Sequence, residues 1–263
     1  MIFYKTKEEI ELLRASNQLV GRTHAEVAKR IQPGVTTKIL DAKAEEFIRD
    51  NSGIPAFKGY NGFPATLCIS INDEVVHGIP GKREIKDGDI VSIDCGIILN
   101  EFVGDSAYTY PVGEVTEDAL NLLKVTKECL YKGIDMAVTG NRIGDIGYAV
   151  QQHAESFGYS VVRELVGHGV GRSLHEKPEV PNFGKRGNGT KLAEGMTLAI
   201  EPMINAGEYL VATGTDNWTV STLDQSMSAH FEHTVAIGKE EADILSTFEY
   251  IEKAMEENIN VPV

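Results

Sequence analysis

Two stretches of this chain, 107 positions apart, are written alike: Asp87-Gly-Asp-Ile-Val-Ser-Ile-Asp94 and Glu194-Gly-Met-Thr-Leu-Ala-Ile-Glu201. Each is a mostly apolar run that ends in a carboxylate. What precedes them is also alike. Thr6-Lys-Glu-Glu9 has the form of a capping box and opens a long helix with Ile10, Leu13, Val20 and Val27 on its apolar side, closing at Pro33-Gly34. A second helix is predicted from about Thr37 to Asn51, ending before Gly53. Thr116-Glu-Asp then starts another long helix through Leu120, Leu123 and Leu130. After a break near Gly140, a further helix is predicted from about Asn141 to Phe157, with Gly158 at its end. The loops share a His-x-x-Pro, as His77-Gly-Ile-Pro80 and His175-Glu-Lys-Pro178. A repeat of helix, helix and strands predicts an α+β fold in one domain, 1–263, whose halves, roughly 6–112 and 116–250, meet along a central surface. The competing reading is a chance likeness of two amphipathic patterns.

The first carboxylate-ended run continues as Asp94-Cys-Gly-Ile-Ile-Leu-Asn-Glu-Phe-Val-Gly-Asp105-Ser. This reads as a strand, a short turn near Leu99-Asn100 and a returning strand. With a two-residue loop there, 98 pairs with 101, 96 with 103 and 94 with 105. Directly opposed residues of an antiparallel pair share a face, and like charges at such positions are destabilising. A shared proton or a bound cation would relieve the pair; two solvated edge aspartates are the alternative. A bulge would break the register. Further on, His168 stands in Val-Gly-His-Gly-Val-Gly, Glu201 ends an apolar run, and Glu232 sits in Ala-His-Phe-Glu-His-Thr-Val with Phe231 and His233 facing the other way. A charge inside such runs is costly unless paired or metal-bound. Five candidate ligands of this kind can share two divalent ions if some carboxylates bridge.

Composition narrows the class. With 263 residues and 42% hydrophobic content the chain can bury a full core. Its net charge of −14 argues against general or specific nucleic-acid binding. Three cysteines, Cys68, Cys95 and Cys129, show no paired spacing, so no disulfide framework is expected. The opening Met-Ile-Phe-Tyr-Lys has no apolar core of a signal peptide, and no stretch reaches ~18 apolar residues, so neither secretion nor a membrane span is expected.

The order Asp94, Asp105, His168, Glu201, Glu232 resembles the metal-ligand order of the methionine aminopeptidase family, whose fold is called pita-bread. The surrounding text matches as well: Ile-Ser-Ile-Asn-Asp-Glu-Val-Val-His77-Gly-Ile-Pro, Gly-His168-Gly-Val-Gly, His175-Glu-x-Pro, Ile-Glu201-Pro and Phe-Glu232-His-Thr. The likeness runs from about Thr6 to Tyr250 and is to the short bacterial type I form. It implies a cytoplasmic, monomeric enzyme that removes the initial methionine of nascent polypeptides when the second residue is small, with transient ribosome contact and no membrane partner. It further implies two divalent ions (Co, Mn, Fe or Zn). Asp94 would chelate one, His168 and Glu201 the other, and Asp105 and Glu232 would bridge. Glu201 would also move the proton of the attacking water, His175 would stabilise the carbonyl oxygen, and His77 would contact the scissile nitrogen. Tyr60, Phe63, Cys68 and Trp218 would line the methionine pocket, with His77 and His175 also touching substrate. Asn72, Glu74 and Ser228 match a Na or K site. His24, His153, His230 and His233 have no such support from the family and read as structural.

Two positions depart from the bacterial pattern. Phe57 stands where cysteine is common, and Leu174 where an aromatic is common; both would border the cleft. Two other readings compete. An X-Pro aminopeptidase of the same fold would carry an extra N-terminal domain, for which a first helix beginning near residue 6 leaves no room. A non-catalytic binding protein of this fold would be expected to have lost ligands.

Overall fold

The computed structural model describes residues 1–259, so the last four residues of the expected 1–263 domain lie outside the described residues. Helix α1 (Lys7–Ala28) starts where its capping box requires. The Thr6 hydroxyl accepts from the Glu9 N–H at 3.2 Å, and the Glu9 carboxylate accepts from the Thr6 N–H at 3.1 Å. Helix α2 (Thr37–Asp50) follows. In the second half, Thr116 caps α3 (Glu117–Asp135) through Ala119 N–H, and α4 (Ile143–Ser156) follows. The two interhelical breaks hold Gly34 and Gly140, at φ 87° and 100°, where an L side chain is strained. Helix α5 (Glu249–Ile259) packs on α1. Among the described residues no helix is long and apolar enough to cross a membrane.

The strands are short except for one hairpin, Ile90–Leu99 with Phe102–Pro111. It belongs to a four-stranded antiparallel sheet with Leu67–Ile71 and Ile54–Pro55. A five-stranded sheet of the second half runs Asp243–Ile244, His233–Ala236, Thr197–Ile200, Gly167–Gly169, Glu176–Val180. The two are sutured at one place. Glu232 N–H donates to the Ala107 carbonyl at 2.9 Å, Ser106 Oγ to the Glu232 carbonyl at 2.7 Å, and Thr234 Oγ1 to the Asp105 carbonyl at 2.8 Å. One apolar core reaches through both halves, including Leu19 and Ile93 of the first and Leu130 and Ile200 of the second.

The hairpin register differs from the expected one. The loop is Asn100-Glu101, both at positive φ (52° and 66°), the backbone of a type I′ turn that asparagine tolerates well. Leu99 therefore pairs with Phe102, Gly96 with Asp105, and Asp94 with Ala107. Asp94 and Asp105 are diagonal neighbours rather than directly opposed. They still share a face, because the displacement is two residues along the strand.

Helix α1 crosses this hairpin so closely that it sets the Asp105 position. A Cβ on Gly104 would lie 2.5 Å from the Asn17 backbone nitrogen. Asn17, fully buried, accepts the Asp105 N–H with its Oδ1 at 3.1 Å and donates Nδ2 to the Leu13 carbonyl at 2.9 Å. A Gly104→Ala change meets backbone that cannot swing aside. It should cost about 1–3 kcal/mol, a Tm drop of roughly 2–4 °C per kcal/mol in a chain of this size. A thermal melt matching the parent would remove this contact from the account.

Candidate active site

A cavity of about 340 Å³ is lined by residues that fall in 57–105 and in 164–232. Asp94 enters it from the Ile90–Leu99 strand and Asp105 from its hairpin partner. His168 enters from the Gly167–Gly169 strand, Glu201 from just beyond Thr197–Ile200, and Glu232 from just before His233–Ala236. His77, His175, Tyr60, Phe63, Cys68 and Trp218 line the same space, as do Phe57 and Leu174. Asn72, Glu74 and Ser228 lie outside the cavity lining. The Asn72 carbonyl accepts the Ser228 N–H at 2.8 Å, and the Glu74 carboxylate is taken up by the Ile71 N–H and Arg83.

The polar wall is short of partners. Asp105, His168 and Glu232 each present a ligand-type atom within 4.8 Å of one another, and all three are buried. His168 Nε2 is 3.8 Å from Asp105 Oδ2 and 3.5 Å from Glu201 Oε1. His168 Nδ1 lies 2.9 Å from the Gly169 carbonyl, which can only accept, so Nδ1 carries the proton and Nε2 faces the carboxylates as a lone pair. Oxygens of Asp94, Asp105 and Glu232 are buried with no hydrogen-bond partner.

Burial is the first cause of the shifts here. It pushes the Asp94 carboxyl up to about 7 and those of Asp105, Glu201 and Glu232 well above the usual carboxylate range, with the mutual charges adding to the same effect on the last three. It also pushes His168 down to about 3. A neutral lone-pair nitrogen beside crowded, unpartnered carboxylates is a donor set that fits divalent cations. The same atoms have no comparable use in an apolar core.

The other two histidines are held differently. His175 Nδ1 meets the Tyr60 hydroxyl at 2.7 Å, and its ring lies edge-on to His168 with centroids 4.3 Å apart. His77 follows the Glu74–Val76 strand at φ 60°, an uncommon backbone for a residue with a side chain. The Gly78 carbonyl accepts from Ile69 N–H, which ties this turn to the strand carrying Cys68. Trp218 stands edge-on to Phe63 at 5.1 Å and faces His77 at 6.4 Å. Phe57 and Leu174 fall in one apolar cluster with Phe63 and Cys68, so the two departures share a wall. Phe57 lies across Gly96, where a Cβ would come within 2.4 Å of its ring.

Several further residues complete the site. Asn17, Ser106 and Thr234 hold the backbone of Asp105 and Glu232. Glu164, Leu165 and Met203 line the cavity. His24, His153 and His233 are bonded to Tyr110, Glu128 and Ser246. His230 has a buried, unpartnered Nε2 at 3.8 Å from Glu201 Oε2.

A profile for metallopeptidase family M24 matches residues 11–239. The methionine aminopeptidase of Clostridium acetobutylicum is 52% identical over 250 residues, covering 95% of this chain and all of that one. Methionine aminopeptidase 1 of Bacillus subtilis is 52% identical over 246 residues, 94% of this chain and 99% of its own. The crystal structure of methionine aminopeptidase from Rickettsia prowazekii superimposes with a TM-score of 0.93 at 42% identity, covering 94% of this chain and 100% of that one. The prolidase from Pyrococcus horikoshii OT3 shares the fold at a TM-score of 0.77 and 22% identity, with 94% of this chain and 64% of that one covered.

Proposed function

The chain belongs to metallopeptidase family M24 and has its pita-bread α+β fold, and from that premise we propose that it hydrolyses the first peptide bond of polypeptides that begin with methionine. It is an aminopeptidase of the hydrolase class, and its family uses divalent metal ions. The observation that carries the reading is the set of crowded, unpartnered carboxylates beside the His168 lone pair, inside a cavity with an apolar wall. The X-Pro and non-catalytic readings are not favoured: the high identities are to methionine aminopeptidases.

The residues divide the work as follows. Asp94, Asp105, His168, Glu201 and Glu232 would hold the two ions, Asp94 on one side and His168 with Glu201 on the other, with Asp105 and Glu232 between them. The ions, Co, Mn, Fe or Zn, supply Lewis acidity when bound, lowering the pKa of water and polarising a carbonyl. Glu201 accepts the proton of the attacking water and returns it to the leaving amine. His175 donates to the carbonyl oxygen as it gains charge; its Nδ1 is taken up by the Tyr60 hydroxyl at 2.7 Å, which leaves Nε2 for that bond. His77 meets the scissile nitrogen. Burial holds both rings below their ordinary pKa, so each is a neutral donor near pH 7. Tyr60, Phe63, Cys68 and Trp218 receive the thioether side chain, a soft group suited to aromatic contact.

The same reading covers the rest. Residues 1–263 form one domain of two repeated halves, roughly 6–112 and 116–250, supported by the matching helix pairs and the shared core. Nascent N-termini are the substrate, met at a transient ribosome contact by a monomer in the cytoplasm, without nucleic-acid or membrane partners. Asn72, Glu74 and Ser228 would hold a Na or K ion, and the Ser228 N–H to Asn72 carbonyl bond brings those two backbones together.

Second-residue size tests the substrate assignment. Met-Gly, Met-Ala and Met-Ser peptides should be cleaved, and Met-Ile, Met-Lys and Met-Glu peptides nearly spared. Overpacking one site costs ~1–3 kcal/mol, or roughly 5–150-fold in kcat/KM. Leu174 at the cavity wall sets where in that range the ratio falls. Equal rates on Met-Ala and Met-Ile peptides would reject this specificity.

A further inference from the structure

Glu201 lies between two imidazoles, one at each carboxylate oxygen: His168 Nε2 is 3.5 Å from Oε1 and His230 Nε2 is 3.8 Å from Oε2. The two rings differ in what they offer. His168 spends its Nδ1 proton on the Gly169 carbonyl and presents a lone pair, which cannot bond a carboxylate without a cation between them. His230 is 2% exposed. Its Nε2 is the one buried ring nitrogen there without a partner.

The backbone of His230 is fixed, so this placement is not a loose side chain. Thr109 Oγ1 donates to the His230 carbonyl at 2.7 Å and accepts its N–H at 3.0 Å, and Ser92 Oγ meets the same hydroxyl at 2.8 Å. His230 pairs in register with Met203, two residues beyond Glu201. The backbone is thereby held where Nε2 lies 3.8 Å from the second oxygen of the carboxylate.

We propose that His230 donates its Nε2 proton to Oε2 of Glu201 and is a positioning residue for that carboxylate, an assignment that rests on the acid–base role given to Glu201 above. Closing 3.8 Å to a hydrogen bond of ~2.8 Å takes about one ångström of side-chain rotation. With Oε2 tied, Oε1 remains for the His168 side and for the proton in transit.

The test compares His230→Gln, which keeps a neutral donor, with His230→Leu, which removes it without leaving a polar group. On Met-Ala-Ser, His230→Leu should lower kcat by about 10–100-fold, the scale of one hydrogen bond to a charged group, with KM within about threefold and metal content unchanged. His230→Gln should recover most of kcat. A second readout needs no turnover: in the zinc-loaded, ¹⁵N-histidine protein, His230 should show a protonated Nε2 whose resonance moves in Glu201→Gln. An unprotonated Nε2, loss of bound metal in His230→Leu, or equal kcat in His230→Leu and the parent would each overturn the proposal. A parent protein inactive on methionyl peptides but with the Nε2–Glu201 signature would sink the function and leave the hydrogen bond standing.

Discussion

Glu232→Gln will abolish turnover and yet raise the melting temperature of the metal-free protein. Glu232 is 2% exposed, one of its oxygens has no partner, and burial followed by the charges of Asp105, Asp94 and Glu201 holds its carboxyl well above the usual range. A carboxyl whose folded pKa exceeds its unfolded value penalises the folded state as pH rises. The penalty is absent below the unfolded value near 4. It grows through the folded value, about 7 for Asp94, and is complete above it. The buried histidines act in the opposite sense. His168 and His230, both pushed down to about 3, contribute stability above pH ~6.5 that is lost as pH falls toward 3. Melts in chelator should therefore be highest in mildly acidic buffer and fall toward pH ~8. Glu232→Gln removes one buried, unpartnered charge, so its Tm in chelator should exceed the parent's near pH ~8 and the gap should close as pH falls toward ~4. Activity should fall by more than ~10³-fold as metal affinity is lost. A variant that melts below the parent in chelator would show that Glu232 is stabilised by the protein itself rather than held for a cation.

His175→Ala should separate catalysis from metal binding. The ring reaches into the cavity with Nδ1 at 2.7 Å from the Tyr60 hydroxyl, and it is not one of the residues whose ligand atoms cluster. Losing one donor to a developing oxyanion costs ~10²–10³ in kcat. Elemental analysis should find the same metal per chain as in the parent. His77→Ala should behave alike at ~10²-fold or more, the scale of a lost general acid. Tyr60→Phe leaves His175 in place but frees its Nδ1, so a smaller loss, within about tenfold, is expected. Metal lost in His175→Ala would mean that a ligand had been taken for a donor.

Much of this architecture was legible because it is local. Thr6–Glu9 and Thr116 declare helix starts through groups a few residues apart, and the structure starts α1 and α3 at Lys7 and Glu117. The repeated carboxylate-ended runs are equally local, and both end carboxylates line the cavity. The hairpin register was misplaced because a two-residue loop can sit one position either way. Asparagine at the first positive-φ position, in Asn100-Glu101, was the local signal that decides it. The residues that brace the site were not legible. Asn17 reaches Asp105 across 88 positions and Ser106 reaches Glu232 across 126, and a buried Asn or Ser in an amphipathic pattern looks like any other polar residue. His230 reads as structural for the same reason. Its meaning depends on Glu201, which the fold brings to it from another strand.

The most direct test is a divalent-metal titration of chelator-stripped protein, with bound metal counted and Met-Ala-Ser hydrolysis followed in the same samples under reducing, oxygen-free conditions. The site described here predicts no hydrolysis in the stripped protein. Activity should return as metal is added, and binding should saturate at two ions per chain in the parent and fail in Asp105→Ala. Full turnover by protein free of metal, or two tightly held ions and normal turnover in Asp105→Ala, would contradict it.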